Sequence, residues 1–568
     1  MSRREAWLSA AAVFVAALAV RAVAAAMIGY PVPEDTAYYA GVARNLAEGR
    51  GLISDALWSY QTQPLVVPRA AFEIWLPLPS LLEAVPVALA GAANWFRAAQ
   101  VVSVVAGSLV AVLAWRVGAD VAAEMDLPAG RARTMGVGSG LVAAALGPLA
   151  IYSASPDSTA LFAALSLAAC LLMTRLAAAE TARVGLASEP PTSRASEPPA
   201  THAGSRPRLD RRLVLLGLLL GFAALTRSEA IWLALAWAAV AWLWTPGSRW
   251  RRATLIAVPA VVAIAVVTPW IVRDWLAFGT PLPGQTIGNA FFVHPTDVFA
   301  YSDPASPSSF LAQGPAGLAG IYTGGIANDL FGVLLIPAFP VGLIGLAFLP
   351  WVGRRLALRP LALASVLTFC VTSLAFPVAT LSGTFLHAAG ASFVLLTVCS
   401  VVALDALIVR VGRLRHWTRP VAWLGPAFAI AAVGPLCGIS IATLSHQADE
   451  VEARYGALPA AMARAGAPLD GSAPVITDAP IWLAEAAGVP TLALPEEPPA
   501  SVLDLARRFG ARLLVVRDGT GREWPAILDD GSAAAGCFHE VQLTDMSGNK
   551  PGNDSPLASI HVYRIVCT

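Results

Sequence analysis

Five places in this chain set ionisable side chains where apolar segments end. Glu34 and Asp35 open PEDTAYYAGVARNLAEGRGL at 33 to 52, directly after an apolar run. Asp157 lies in SASPDSTALF, Arg227 and Glu229 in LTRSEAIWL, Arg273 in TPWIVRDWLAFGTPLP, and His387 in SGTFLHAAGASFVLL. A carboxylate can accept a proton from a reacting hydroxyl, and the planar fork of arginine fits a phosphate with two parallel charge-assisted hydrogen bonds. Each residue also has a plainer role. AYYAGVARNLAEG has helical spacing, with Tyr38, Val42 and Leu46 on one stripe, so Glu34 and Asp35 suit the N-terminus of that helix. Ser155, Pro156 and Asp157 likewise read as the opening of a helix. The arginines can snorkel to an interface, Glu229 can pair with Arg227, and His387 can simply close a helix.

The elements that must hold these residues are membrane helices. The 568 residues are 57% hydrophobic and 13% charged, with a mean hydropathy of +0.64. Soluble domains carry about twice that charged fraction, so the composition is that of a polytopic membrane protein. The formal net charge is +1, and Lys550 is the only lysine. The arginines are scattered among apolar runs and form no nucleic-acid surface. Of six cysteines, Cys170, Cys370, Cys399 and Cys437 lie in apolar segments with no metal-ligand spacing. Cys537 and Cys567 fall in a polar region and are free to pair if it lies outside the cytoplasm.

At roughly 20 residues per crossing helix, spans are expected near 7–29, 98–118, 134–153, 158–178, 211–226, 229–245, 253–272, 331–350, 361–379, 386–409 and 421–444. The stretch 77–93 is broken by proline and carries Glu83. With it left as a juxtamembrane or re-entrant helix, the arginine-rich segments all share the side of the N-terminal SRR, as the positive-inside rule requires. That side is cytoplasmic. The first outer loop is then 30–97, a second outer loop is 273–329, and 180–210 is a cytoplasmic linker expected to be disordered from its ASEPP repeats. The tail from 446 alternates short strands (in APVITDAP, GVPTLALP, ARLLVVRD and SIHVYRIV) with the amphipathic helix SVLDLARRFG. A small extracytoplasmic α/β domain over 446–568 is predicted, following a membrane domain over 1–445.

The order of these stretches resembles the GT-C superfamily of membrane glycosyltransferases. The similarity is to bacterial relatives of the protein O-mannosyltransferases and of the lipid A aminoarabinose transferase. It rests on the acid and Tyr-Tyr of the first loop, the Gly-rich LLGLLLGFAALTR, the Pro-Trp-x-x-Arg turn and the late Gly-x-x-x-His, together spanning most of the membrane part. Asp274 departs from it, since Asn is commoner there. The resemblance implies a fold of about eleven transmembrane helices and inverting transfer of a sugar from a polyprenyl-phosphate donor to an envelope acceptor at the outer face of a bacterial plasma membrane. It implies Asp35 as general base, Glu34 as its support or substitute, and Asp157 as a second acid that orients the acceptor or binds a divalent cation. Arg227, Arg273, His387, Glu229, Tyr38 and Tyr39 are implied at the donor phosphate and sugar. No cofactor is required by the resemblance: related oligosaccharyltransferases use a metal, whereas these branches do not. A transporter and an inactive lipid-binding protein of the same fold are the rival expectations. Trp58, Tyr60, Trp75, Trp270 and Trp275 read as an interfacial aromatic belt.

Overall fold

The computed structural model of the protein describes residues 2–188, 210–284, 287–418, 421–519, 523–544, 551–552 and 554–567. Its membrane part is built from α1 (Arg3–Met27), α2 (Glu34–Ala47), α3 (Leu78–Ala90), α4 (Trp95–Glu124), α5 (Ala129–Ala145), α6 (Gly147–Ala154), α7 (Ser158–Ser188), α8 (Arg211–Ala224), α9 (Ala230–Ala239) and α10 (Arg249–Phe278). It continues through α11 (Pro307–Leu311), α12 (Gly314–Ala327), α13 (Val341–Val352), α14 (Arg359–Ala375), α15 (Thr384–Ala388), α16 (Gly390–Leu414) and α17 (Leu424–Arg464). Among the described residues seven helices are long and apolar enough to cross a bilayer alone, and eight if the bent α5–α6 pair is one span. Four shorter apolar helices accompany them, so the expected number of about eleven is neither reached nor exceeded by length alone. The helix α3 has 13 residues, about 20 Å, against a hydrocarbon core of about 30 Å.

The α5–α6 pair bends by 59°, and its cause is local. Pro148 stands four residues after Ala144 and has no N–H, so the Ala144 carbonyl loses its helical donor. Within a bilayer no water replaces it. Arg21 Nη1, from the middle of α1, donates to that carbonyl at 3.4 Å and to Ala17 O at 3.3 Å. Gly107 of α4 makes the room: a Cβ there would lie 2.8 Å from Arg21 Nε and 1.9 Å from Ser153 Oγ.

The C-terminal α/β domain adds α18 (Pro480–Ala487) and α19 (Pro499–Phe509) to a six-stranded sheet. In chain order its strands are β2 (Ala56–Leu57), β4 (Val475–Thr477), β5 (Thr491–Ala493), β6 (Leu513–Arg517), β7 (Phe538–Val541) and β8 (Ile560–Ile565), while β1 (Ile53–Ser54) pairs only with β3 (Arg69–Ala70). The spatial order is β2-β5-β4-β6-β8-β7, parallel through β6 and antiparallel beyond. The first outer loop supplies β2, and its Leu57, Tyr60 and Leu65 enter the same apolar core as Leu492, Leu505 and Leu514. Cys537 and Cys567 form a disulfide that ties the start of β7 to the end of the chain.

Four expectations change. α17 is one helix of 41 residues, so a boundary at 446 falls inside it and the helix runs on, without a break, towards the C-terminal α/β domain. A continuous helical stretch of membrane length begins at Gly314, inside the segment expected to be an irregular loop, and breaks at 336–340 rather than crossing as one helix over 331–350. α7 continues to Ser188 through the Ala-rich AAAETARVGLA, a good helix former, and Glu180 on it is held by Arg183 and Arg251 at 2.6 Å each. The linker therefore does not begin at 180, and residues 189–209 lie outside the described residues. Finally, Trp58, Trp75, Tyr38, Phe72 and Trp270 pack edge-to-face or tilted on one another. They form an internal cluster in place of a belt, while Trp275 is exposed.

Candidate active site

Two helix N-termini meet a short helix to make the site. α2 starts at Glu34, so Asp35 lies in its first turn, where the helix dipole favours an acid. α7 starts at Ser158, and Asp157 caps it: Asp157 Oδ1 accepts from Thr159 N at 2.6 Å. α15 brings His387 between the two. His387 Nε2 lies 3.4 Å from Asp35 Oδ2, and Nδ1 lies 2.8 Å from Thr159 Oγ1 and 3.7 Å from Asp157 Oδ2. If Thr159 donates to Nδ1, the ring proton sits on Nε2 and points to Asp35. Tyr152 packs edge-on against the imidazole.

The carboxylates differ in what they have to spare. Asp157 is 1% exposed and its Oδ2 has no hydrogen-bond partner among the described residues. Its capping role and a site role therefore use different oxygens. The Asp35 side chain is 28% exposed and open enough to meet a second molecule. Burial raises the Asp35 carboxyl above the usual carboxylate value, while Arg227 and a hydrogen bond with the Trp75 side chain lower it. Burial raises Asp157 to about 7, against hydrogen bonds from Thr159, with the Asp35 charge adding to the rise. Both groups are thus biased towards keeping a proton, Asp157 up to about 7.

Arg227 reaches the same cluster from the turn between α8 and α9. Its Nε and Nη2 pair with the two Glu229 oxygens at 3.2 and 2.7 Å, and Nη1 donates to Ser158 Oγ at 3.0 Å. Glu229, 4% exposed, thus takes the fork that a phosphate would use. Tyr39 also faces Arg227 and is hydrogen-bonded to Ser158. Arg273 stands elsewhere, near the C-terminal end of α10 over the rings of Trp270 and Phe278, at 4.7 and 5.3 Å. It bonds to its neighbour Asp274 at 2.9 Å. Tyr38 belongs to the aromatic cluster, and its hydroxyl accepts from Phe72 N at 2.7 Å.

Glu34 is turned away from these groups. Its Oε1 accepts from Ile481 N at 2.8 Å, at the N-terminus of α18, while Trp482 Nε1 donates to Pro31 O at 2.9 Å. The acidic pair therefore splits: Asp35 faces the membrane cluster and Glu34 anchors the C-terminal α/β domain beside it. Thr159, Ser158 and Tyr152 were not singled out from sequence, because hydroxyls at a helix start look like ordinary capping residues. Glu83 of α3 is fully buried with both carboxyl oxygens unpartnered among the described residues, and burial together with the charge of Asp157 pushes it well above the ordinary range. Only its proline-broken apolar setting hinted at this. Among the described residues no three His, Cys, Asp or Glu side chains converge to hold a metal ion. The imidazole stands between the two aspartates, so this arrangement does not fit a cation bound by both.

The sequence matches no family model and no curated protein. Solved structures are similar over nearly its whole length. One is an oligosaccharyltransferase from Archaeoglobus fulgidus in complex with Zn and sulfate, with a TM-score of 0.51, 12% identity, and 96% of this chain and 73% of that chain covered. Another is ArnT from Cupriavidus metallidurans bound to undecaprenyl phosphate, with a TM-score of 0.50, 16% identity and 98% of both chains covered. Its apo form is similar at 15% identity and a TM-score of 0.50, over 100% of this chain and 99% of that one.

Proposed function

We propose, this chain having the GT-C fold, that it is an inverting glycosyltransferase. It moves a sugar from a polyprenyl-phosphate donor to an acceptor at the outer face of a bacterial plasma membrane. The observation that carries this reading is the partly open Asp35 carboxylate, backed by His387, whose other ring nitrogen faces the buried Asp157. In the proposed step Asp35 takes the proton of the acceptor hydroxyl, and the acceptor oxygen forms the new bond at the anomeric carbon. The bond from that carbon to the phosphate oxygen breaks, and the electron pair leaves with the phosphate. Leaving-group charge needs a fixed cation nearby. Arg273 is the better suited of the two arginines, since Asp274 takes one of its nitrogens, whereas Glu229 takes the fork of Arg227 with both carboxylate oxygens.

A base must be ionised to act. With its carboxyl raised, Asp35 loses that form on acidification at a higher pH than an ordinary aspartate, whose value is about 4. The rate kcat/KM is therefore expected to climb with pH through this raised value and to level off above it. The Asp157 ionisation, near 7, adds a second inflection of the coupled pair. A profile flat from pH 4 to 8 would contradict a carboxylate base. Stability has the opposite sign: ionising these raised groups costs folding free energy, so their contribution to stability declines as pH rises through the same range.

Deletion of the gene tests the reading as a whole. The expected result is accumulation of a polyprenyl-phosphate sugar together with loss of one sugar residue from an envelope glycan, lipid or protein, measured by mass spectrometry. An unchanged lipid-linked pool and unchanged envelope glycans would refute it.

A further inference from the structure

Gln100, buried at the outer end of α4 with 1% of its surface exposed, joins two backbones that lead to different acids. Its Nε2 donates to Ile28 O at 3.1 Å and to Ala154 O at 2.9 Å, with Ala25 O at 3.3 Å. Its Oε1 accepts from Arg97 Nη1 at 3.2 Å, which fixes which way the amide is turned. Arg97 also donates to Ile28 O at 3.1 Å and to Ala26 O at 3.1 Å.

The carbonyls concerned are those left open at the ends of α1 and α6, where no helical N–H follows. Ile28 leads through residues 29 to 33 into the first turn of α2 and Asp35. Ala154 leads through Ser155 and Pro156 to Asp157. A second tie joins the same two segments, from Ser155 Oγ to Val32 O at 3.4 Å. At its other end α6 is held by Arg21 through the bend at Ala144. Thus the short helix that leads to Asp157 is fastened at its Ala154 end and at the bend before it, and at the Ala154 end the fastening is shared with the segment carrying Asp35.

We infer that Gln100 is a positioning residue: its amide is a strut that sets the spacing between Asp35 and Asp157, on either side of His387. The inference rests on the reading of these two acids as the reacting site. A misplacement of about 1 Å in such a site can cost on the order of 100-fold in rate, so a loosened strut should appear in turnover rather than in donor affinity.

The test is Gln100→Met, which keeps the side-chain length and removes the donors. Gln100→Asn, which keeps the amide but is one methylene too short to span both carbonyls, serves if the first variant fails to fold. Two measurements are made on the full chain in detergent or nanodiscs: backbone hydrogen exchange, and binding of undecaprenyl phosphate as the probe. Turnover of the donor found in the deletion strain is the third. Exchange is expected to rise several-fold in residues 28–35 and 154–159 and to stay unchanged in α8 and α10. Turnover should fall by about tenfold with the undecaprenyl phosphate Kd and donor KM unchanged. Unchanged exchange in both segments overturns the strut, as does full turnover despite faster exchange, or a loss of lipid affinity that matches the loss of turnover. If the wild-type protein transfers no sugar, the proposed function fails, and the exchange measurement still decides whether Gln100 ties the two segments.

Discussion

Asp35→Asn should lower sugar transfer by about 10² to 10⁴-fold, the range for removing a general base, while undecaprenyl phosphate binds as before. The substitution keeps the shape of the side chain and its place in the first turn of α2. Removing the charge there forfeits only about 0.3 to 1 kcal/mol of favourable helix-dipole interaction, so the protein should fold. His387 Nε2, at 3.4 Å, would face a neutral amide in place of a carboxylate, and the acid limb of the pH profile should disappear with the rate. Binding of lipid without transfer is the decisive combination. Transfer at the wild-type rate would remove Asp35 from the mechanism, and a loss of lipid binding equal to the loss of transfer would make it a structural cap.

Arg273→Ala should weaken undecaprenyl phosphate binding by about 10- to 100-fold, corresponding to about 1.5 to 3 kcal/mol for a charge-assisted hydrogen bond. The side chain is partly exposed and bonds within the chain only to Asp274 among the described residues; Asp274 is itself 4% exposed, so thermal stability is measured beside the lipid titration to separate loss of a phosphate contact from loss of the acid's cation. The same experiment at Arg227 disturbs the acid cluster as well, because Arg227 also bonds Ser158 beside Asp157. Its removal leaves Glu229 buried without its cation, a change that costs about 3 to 5 kcal/mol of stability whatever its effect on the lipid. Lipid titration of purified Arg273→Ala, followed by kcat and KM, distinguishes the outcomes. A changed kcat with unchanged lipid affinity would move Arg273 from ground-state binding to transition-state stabilisation alone.

These two expectations come from residues that were legible in different ways. Asp35, Asp157, Arg227 and His387 could be picked out one at a time, because each breaks an apolar pattern at the end of a span, where an ionisable group is costly. Their company could not. Asp157 and His387 are separated by most of the membrane domain in sequence, and their approach depends on α7 and α15 packing in one bundle. Glu34 shows the opposite case. Beside Asp35 in sequence it looks like a second catalytic acid, yet successive residues on a helix point about 100° apart, and Glu34 turns to the N-terminus of α18.

Composition and apolar period determined by themselves that this is a multi-span helical protein, that ionisable groups gather at the ends of its spans, and that a small α/β domain follows the last of them. Burial of apolar surface and the obligation to satisfy backbone groups in a bilayer leave few other solutions for such a sequence. Tertiary structure alone decided that the first outer loop contributes β2 to the distant sheet, that Glu229 occupies the fork of Arg227, and that Pro148 bends the segment before Asp157 with Arg21 answering the lost N–H. Each of these is a pairing between groups far apart in the chain. Local pattern records which residues need a partner, and only the packed fold supplies it.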